Sequence, residues 1–343
     1  MDKDTIKRLI IEYQQFVANI TLIEREIHLS HQLNYVFVGL RRAGKSYLMY
    51  QQIQSLLNDG HQPEEILYFN FEDDRLVNLT VEDLDLIKVS YEELYPHKPI
   101  FFLDEIQIVE HWEKFARRLA DQQYRVYITG SNAKMLSAEI ATTLGGRYIV
   151  QNVYPFSFSE FLKASKIEIG PTWYYKNRTE IVRTFSDYFS YGGLPELMLI
   201  ETIEKRQWLS NLFNKIFFGD LITRYSIRND LAMKVLIRKL AESVKQPSSF
   251  NRLTNIVSTT GAKVSTDTII DYLNFLQATW LFFSLENYAS KLVEKISNRK
   301  YYFIDNGLLN LFLIDPVTSL LENIVAISLK KKYEEEGNIC YTR

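Results

Sequence analysis

The chain has 343 residues, of which 46% are apolar and 24% charged, with a formal net charge of −2; these are the proportions of an ordinary globular protein of two or three domains. One cysteine, Cys340, excludes an internal disulfide framework and suits a reducing cytoplasm; no apolar run approaches the ~18 residues of a spanning helix, and the charged, helix-patterned N-terminus shows no secretory h-region or small-residue cleavage site. With a charge this close to zero, no global basic field drives nucleic-acid binding, and any such contact requires a local patch.

Residues 5–30 read as a mainly helical arm, with Ile6, Ile10, Tyr13 and Val17, then Leu22 and Ile27, at helical spacing. A β-type run at 35–38 ends in Gly39, and a helix then opens at Gly44 and Lys45 and closes at Asn58-Asp59-Gly60. Further β runs lie at 66–71, 100–103 and 126–129, separated by helical stretches at 81–94 and 112–119. Strands alternating with helices, each strand nearly all apolar, predict an α/β fold with a buried parallel sheet covered on both faces. After Pro155 the pattern turns helical and aromatic as far as residue 230. Residues 231–305 read as three helices and a β-hairpin, the order of a winged helix-turn-helix. The expected pieces are an arm at 1–30, a nucleotide-binding domain at 31–155, a helical lid at 156–230, the winged helix at 231–305, and the start of a C-terminal α/β unit at 306–343.

The strongest motif is Gly39-Leu40-Arg41-Arg42-Ala43-Gly44-Lys45-Ser46, a complete G-x-x-x-x-G-K-[ST] between a strand and a helix. Such a loop wraps its amides around phosphate oxygens, and the helix that follows, starting with Lys45, Ser46 and Tyr47, offers its positive end to the same anion. Lys45 then faces the β- and γ-phosphates, and the Ser46 hydroxyl ligates Mg²⁺. A second motif, Ile100-Phe101-Phe102-Leu103-Asp104-Glu105, is a buried strand ending in two acids. It delivers Asp104 to the metal and Glu105 to the position of a general base. The fourth strand ends in Thr129-Gly130-Ser131-Asn132. There Ser131 or Asn132 either points at the γ-phosphate or caps the next helix.

With these residues in place the chain resembles the AAA+ ATPases, within the additional-strand P-loop class. It is most similar to a bacterial and archaeal group whose AAA domain precedes a poorly characterised C-terminal domain. The stretches that carry the resemblance are VFVGLRRAGKS, ILYFNFEDDRL, IFFLDE, YITGSNAKML, LGGRY, YPFSFSEFL and YGGLPE. The resemblance implies ATP with Mg²⁺ as ligand and Ser131 or Asn132 as the sensor of the γ-phosphate. It also implies Arg147 as an arginine finger toward a neighbouring subunit of a homo-oligomer, and Pro195 as a contact of the adenine. Relatives of this kind carry a nuclease-like C-terminal half with a later acidic strand. Glu322 resembles its opening helix, but the sequence stops at Arg343, so the expectation is an incomplete unit and no nuclease site.

Two functions compete. One is an ATP-hydrolysing conformational switch; the other is a nucleotide-gated DNA-binding or regulatory protein with little turnover, acting on DNA or on a protein partner. The expected recognition helix, 265–275, holds Asp267 and Asp271 and no Lys or Arg, which disfavours duplex contact. Lys263, Lys291, Lys295, Arg299 and Lys300 nearby are the available positive charges. A small-molecule kinase shares the phosphate loop but gives no reason for the acidic pair or the winged-helix segment.

Overall fold

The computed structural model describes residues 2–76, 79–130, 142–261, 263–333 and 339–342. These fall into two compact units, residues 1–39 with 44–153, and residues 40–43 with 154–343.

The first unit contains α1 (Lys3–Asn19), β1 (Asn34–Val38), α2 (Lys45–Asn58), β2 (Ile66–Asn70), α3 (Val81–Leu94), β3 (Ile100–Asp104), α4 (Trp112–Asp121), β4 (Val126–Gly130) and β5 (Tyr148–Asn152). Its five strands are all parallel, in the order β2-β3-β4-β1-β5. Strand β4 therefore lies between the strand that enters the phosphate loop and the strand that ends in Asp104. The register puts Tyr68, Phe102, Tyr127 and Tyr35 on one face. The Phe102 and Tyr127 rings stack 4.5 Å apart, and Tyr35 stacks on Tyr127 at 6.0 Å. Two residues further along the same face, at the C-terminal ends of β3 and β4, stand Asp104 and Thr129. Each fully buried ring contributes ~1.5–3 kcal/mol of apolar burial, so the layer that stabilises the sheet also fixes where its polar ends emerge.

Helix α3 begins where the sequence places it because Thr80 and Asp83 form a reciprocal capping box. The N-terminal segment departs from expectation. The helix ends at Asn19, short of residue 30, and Ile6, Leu9, Ile10 and Val17 on it are buried. Gln14 donates to the edge carbonyl of Ile66 on β2 at 2.9 Å, so α1 covers a sheet edge that would otherwise be open. Leu22 and Ile27 continue the apolar period but are not helical, because α2 supplies their stretch with other partners. Gln54 donates to Ile20 O, and Gln51 bonds both the N–H and the C=O of Arg25.

The second unit contains α5 (Phe158–Ala164), α6 (Arg178–Tyr191), a 3₁₀ turn at Pro195–Leu199, α7 (Thr202–Lys215) and a π-helical stretch at Ile216–Thr223. There follow α8 (Asp230–Glu242), β6 (Ser248–Ser249), α9 (Phe250–Thr259), α10 (Thr266–Ala278), β7 (Phe282–Asn287), α11 (Leu292–Ser297), β8 (Asn298–Phe303), α12 (Asn306–Asn310), α13 (Val317–Lys332) and β9 (Cys340–Tyr341). Strand β8 pairs antiparallel with both β6 and β7.

The residues expected to start a separate unit at 306 belong to this same body. Asn306 donates to Phe189 O and Leu320 O, Asn310 to Ser190 O, and Asn323 bonds both backbone groups of Phe303. These amides, with Asn306 and Asn323 buried, tie α12 and α13 to α6 and β8. Glu322, the residue resembling a nuclease opening, accepts from Lys300 Nζ at 2.7 Å and from Tyr302 OH at 3.0 Å. Among the described residues no helix is long and apolar enough to cross a membrane.

Candidate functional site

Strand β1 stops where its chain must turn sharply. A Cβ on Gly39 would lie 2.1 Å from the carbonyl oxygen of Val153, so only hydrogen fits against the end of β5. The loop closes with Ala43 N–H donating to Leu40 O at 3.1 Å and passes through left-handed backbone at Arg42 (φ 65°) and Gly44 (φ 96°). An arginine with positive φ is strained, a feature that concentrates at ligand clamps. Lys45, the first residue of α2, is buried, with Nζ donating to Gly39 O at 3.2 Å. Its ammonium is thus held over the loop that it would share with a phosphate.

Asp104 is buried at the end of β3 and collects two hydroxyl donors: Thr129 Oγ1 donates to Oδ1, and Tyr68 OH donates to Oδ2 at 2.7 Å. The Ser46 hydroxyl is near enough to favour the charged carboxylate. Burial pushes the Asp104 carboxyl above the ordinary value; the Thr129 and Tyr68 hydrogen bonds and the Ser46 hydroxyl pull the other way, and the neighbouring Glu105 charge adds to the rise. Glu105 follows in a left-handed conformation (φ 55°), its N–H donating to the same Thr129 Oγ1 at 2.9 Å. Gln107 Nε2 donates to Glu105 Oε2. One threonine hydroxyl therefore sets both acids of the second motif.

These residues fit a nucleotide and a divalent cation. Ser46, at the start of α2, and Asp104, at the end of β3, come from the two motifs, and the Ser46 hydroxyl is near enough to favour the charged carboxylate, as a cation held by the hydroxyl and reached by the carboxylate through water requires. Among the described residues no group of three or more His, Cys, Asp or Glu could hold a metal, so a cation here needs phosphate oxygens beside Ser46 and Asp104.

A family model described as an AAA domain matches residues 32–162, and a second, described as a domain of unknown function, matches 182–318. A Methanocaldococcus jannaschii protein, MJ1544, is 32% identical over 348 residues, covering 99% of this chain and 77% of that protein. The chain belongs to the AAA+ P-loop ATPases. A Haemophilus influenzae protein is 32% identical over 327 residues, covering 91% of this AAA+ chain and 79% of its own length. The solved structure of the Walker-type ATPase PABY2304 of Pyrococcus abyssi matches with a TM-score of 0.50 at 11% identity, covering 91% of this chain and 95% of that one, and so has the same fold.

The other residues singled out in the AAA+ sequence are distributed unevenly. The loop-tip residues Leu40–Ala43 cluster with the second unit. Arg41 makes two hydrogen bonds to Asp220, at 3.0 and 3.2 Å, and Arg224 pairs with the same buried carboxylate at 3.0 Å. Arg42 pairs with Glu196 and lies over the Trp208 ring. The side chains of both arginines are thus committed within the protein. Tyr47 is half exposed, its ring 5.4 Å from that of Tyr50.

Pro195 opens the 3₁₀ turn, directly before the Glu196 that pairs with Arg42. The two glycines ahead of it serve packing: a Cβ on Gly192 would lie 2.0 Å from Asp305 Oδ1, and Gly193 N–H donates to Asp305 Oδ2 at 2.8 Å. Arg147 precedes β5 and donates to Asp121, while its carbonyl accepts from Asn34 at the start of β1. It therefore sits at the N-terminal end of the sheet, about 13–17 Å along the strands from the loop that follows Val38, and does not serve its own phosphate loop. Ser131 and Asn132 lie outside the described residues. Sequence reasoning did not single out Tyr68 or Asp220, and it gave Thr129 no role of its own.

Proposed function

We propose that this chain binds Mg-ATP at Gly39–Ser46 and hydrolyses it, using binding and hydrolysis as the two positions of a conformational switch. The observation that carries the reading is the single cluster of Asp104, Thr129 and Glu105, in which the metal-side acid and the candidate base are joined by hydrogen bonds through one threonine hydroxyl, with the loop hydroxyl of Ser46 beside the acid. Lys45 exchanges the Gly39 carbonyl for β- and γ-phosphate oxygens. The loop amides and the N-terminal end of α2 hold the remaining charge. Ser46 and Asp104 hold Mg²⁺, which neutralises charge on the phosphates when bound. Glu105 takes the proton of the attacking water, its backbone pinned by Thr129. Ser131 or Asn132 senses the γ-phosphate, Pro195 contacts the adenine, and Arg147, placed away from its own loop, acts on the nucleotide of a neighbouring copy. Because Arg41 and Arg42 bond Asp220 and Glu196, a change of loop conformation is transmitted to the residues that grip them.

Phosphate release from Mg-ATP tests the reading. The wild type turns over and Glu105→Gln binds ATP while losing at least two orders of magnitude in rate; full turnover by the Gln variant removes Glu105 from the mechanism.

The second reading, nucleotide-gated DNA binding, draws support from the order of residues 230–303, which is that of a winged helix with β6, β8 and β7 as its small sheet. Its charges speak against it. Arg299 pairs with Glu286 at 2.7 Å and Lys300 with Glu322 at 2.7 Å, while Leu292 and Val293 beside them are exposed. Filter binding of duplex DNA with and without ATP, over a range of salt, separates the two readings.

A further inference from the structure

We infer that Tyr68 and Tyr50 form a hydroxyl relay that orients the Asp104 carboxylate, making both of them positioning residues for the metal side of the phosphate site. The inference rests on the Mg-ATP reading above and adds residues that neither motif contains.

The argument is one of counting. An ionised carboxylate offers about four acceptor sites. Thr129 takes one on Oδ1 and Tyr68 takes one on Oδ2 at 2.7 Å. With one site filled on each oxygen, from β4 and from β2, the carboxylate plane is fixed and each oxygen keeps one acceptor direction for the metal side, where a water on the cation sits.

The relay extends one residue further. Tyr68 OH lies 3.0 Å from Tyr50 OH. A phenol carries one proton, and Tyr68 gives its proton to Asp104, so Tyr50 must be the donor to Tyr68. Both rings are buried, and the run Tyr50 to Tyr68 to Asp104 crosses from α2 to β2 to β3. Ser46 and Tyr50 are four residues apart and share a face of α2, so the helix that follows the phosphate loop reaches Asp104 through Tyr68 from the face that carries Ser46. The rings themselves pack edge-on: Tyr68 lies 5.3 Å from Tyr50 and 5.3 Å from Tyr13. Substitution by phenylalanine keeps that packing and deletes only the hydroxyls.

The test is calorimetric binding of a non-hydrolysable ATP analogue with Mg²⁺ and, separately, with EDTA. Tyr68→Phe is expected to weaken binding about tenfold with Mg²⁺ (about 1.4 kcal/mol), and to leave the EDTA value within about twofold. Tyr50→Phe, which leaves Tyr68 still donating, is expected to lose about threefold with Mg²⁺, and it carries the test alone should Tyr68→Phe not fold. A loss of ring packing would weaken both values equally. An unchanged ratio of the two constants in the variants, against a wild type that shows a magnesium effect, overturns the relay. A wild type with no magnesium effect overturns the Mg-ATP reading, and the relay with it.

Discussion

Thr129→Val is the substitution for which the structure gives the sharpest numbers. Threonine and valine have nearly the same shape, and Thr129 is fully buried, so the change opens no cavity and removes one oxygen. That oxygen donates to Asp104 Oδ1 and accepts from Glu105 N–H. Each buried group left without its partner costs about 1–3 kcal/mol, so the variant should lose roughly 2–6 kcal/mol of stability. For a unit of this size each kcal/mol lowers Tm by about 2–4 °C, which gives a fall on the order of 10 °C. The same change frees the left-handed backbone of Glu105, so turnover should drop by about one to two orders of magnitude, while ATP affinity changes only a few-fold. Thr129→Ser keeps the oxygen and should recover most of both losses. Thermal denaturation of the ligand-free protein beside a phosphate-release assay makes the comparison. A valine variant that melts within ~1 °C of wild type and keeps its turnover refutes the claim that Thr129 sets the two acids.

Three further outcomes follow from particular contacts. Gly39→Ala puts a methyl 2.1 Å from a backbone carbonyl that no rotamer change can clear, so it should cost at least ~1–3 kcal/mol and abolish nucleotide binding; a titration matching wild type would contradict the close approach of β5. Asp220→Asn removes the shared counter-charge of Arg41 and Arg224 and should cost roughly 1–3 kcal/mol, the partial exposure of the arginines reducing the loss expected for a buried pair; an unshifted urea midpoint would argue against it. Asp305, buried beside Gly193, has its carboxyl pushed up to about 6 by burial, against the pull of the Gly193, Leu308 and Gly307 amides. The native state therefore keeps that proton to higher pH than the unfolded chain, whose value is about 3.9. Its stabilising contribution is complete below pH ~4, declines as pH rises, and is lost above about 6, an effect of about 3 kcal/mol. The stability of wild type relative to Asp305→Asn should fall by that order between pH 4 and 7, and a constant difference would refute the assignment.

Much of the first unit was legible because its signals are local. Ile100–Leu103 followed by two acids reads as a buried strand with a polar end, and the glycine-lysine-serine loop reads as an anion cradle, each without knowledge of its neighbours. What was not legible depends on strand register. Tyr68 looks like one more apolar strand residue until β2 is set beside β3, which brings its hydroxyl to Asp104. Thr129 acquires its role in the same way, from β4 lying beside β3. Strand β5 escaped notice because it is a short edge strand in which Ile149 and Val150 are nearly half exposed, so it lacks the all-apolar signature of its neighbours. In the second unit, the apparent boundary at residue 306 dissolves because Asn306, Asn310 and Asn323 reach backbone groups far away in sequence, a use of asparagine that no local pattern announces.

The most direct measurement of the central claim is a thermal-shift titration of wild type and Lys45→Ala with Mg-ATP. Ligand at a hundred times its dissociation constant adds about 2.7 kcal/mol to the folded state. The wild type should therefore melt several degrees higher with saturating Mg-ATP, and Lys45→Ala should show no rise above its own ligand-free melting temperature. Equal shifts in the two proteins, or none in the wild type, would contradict the account.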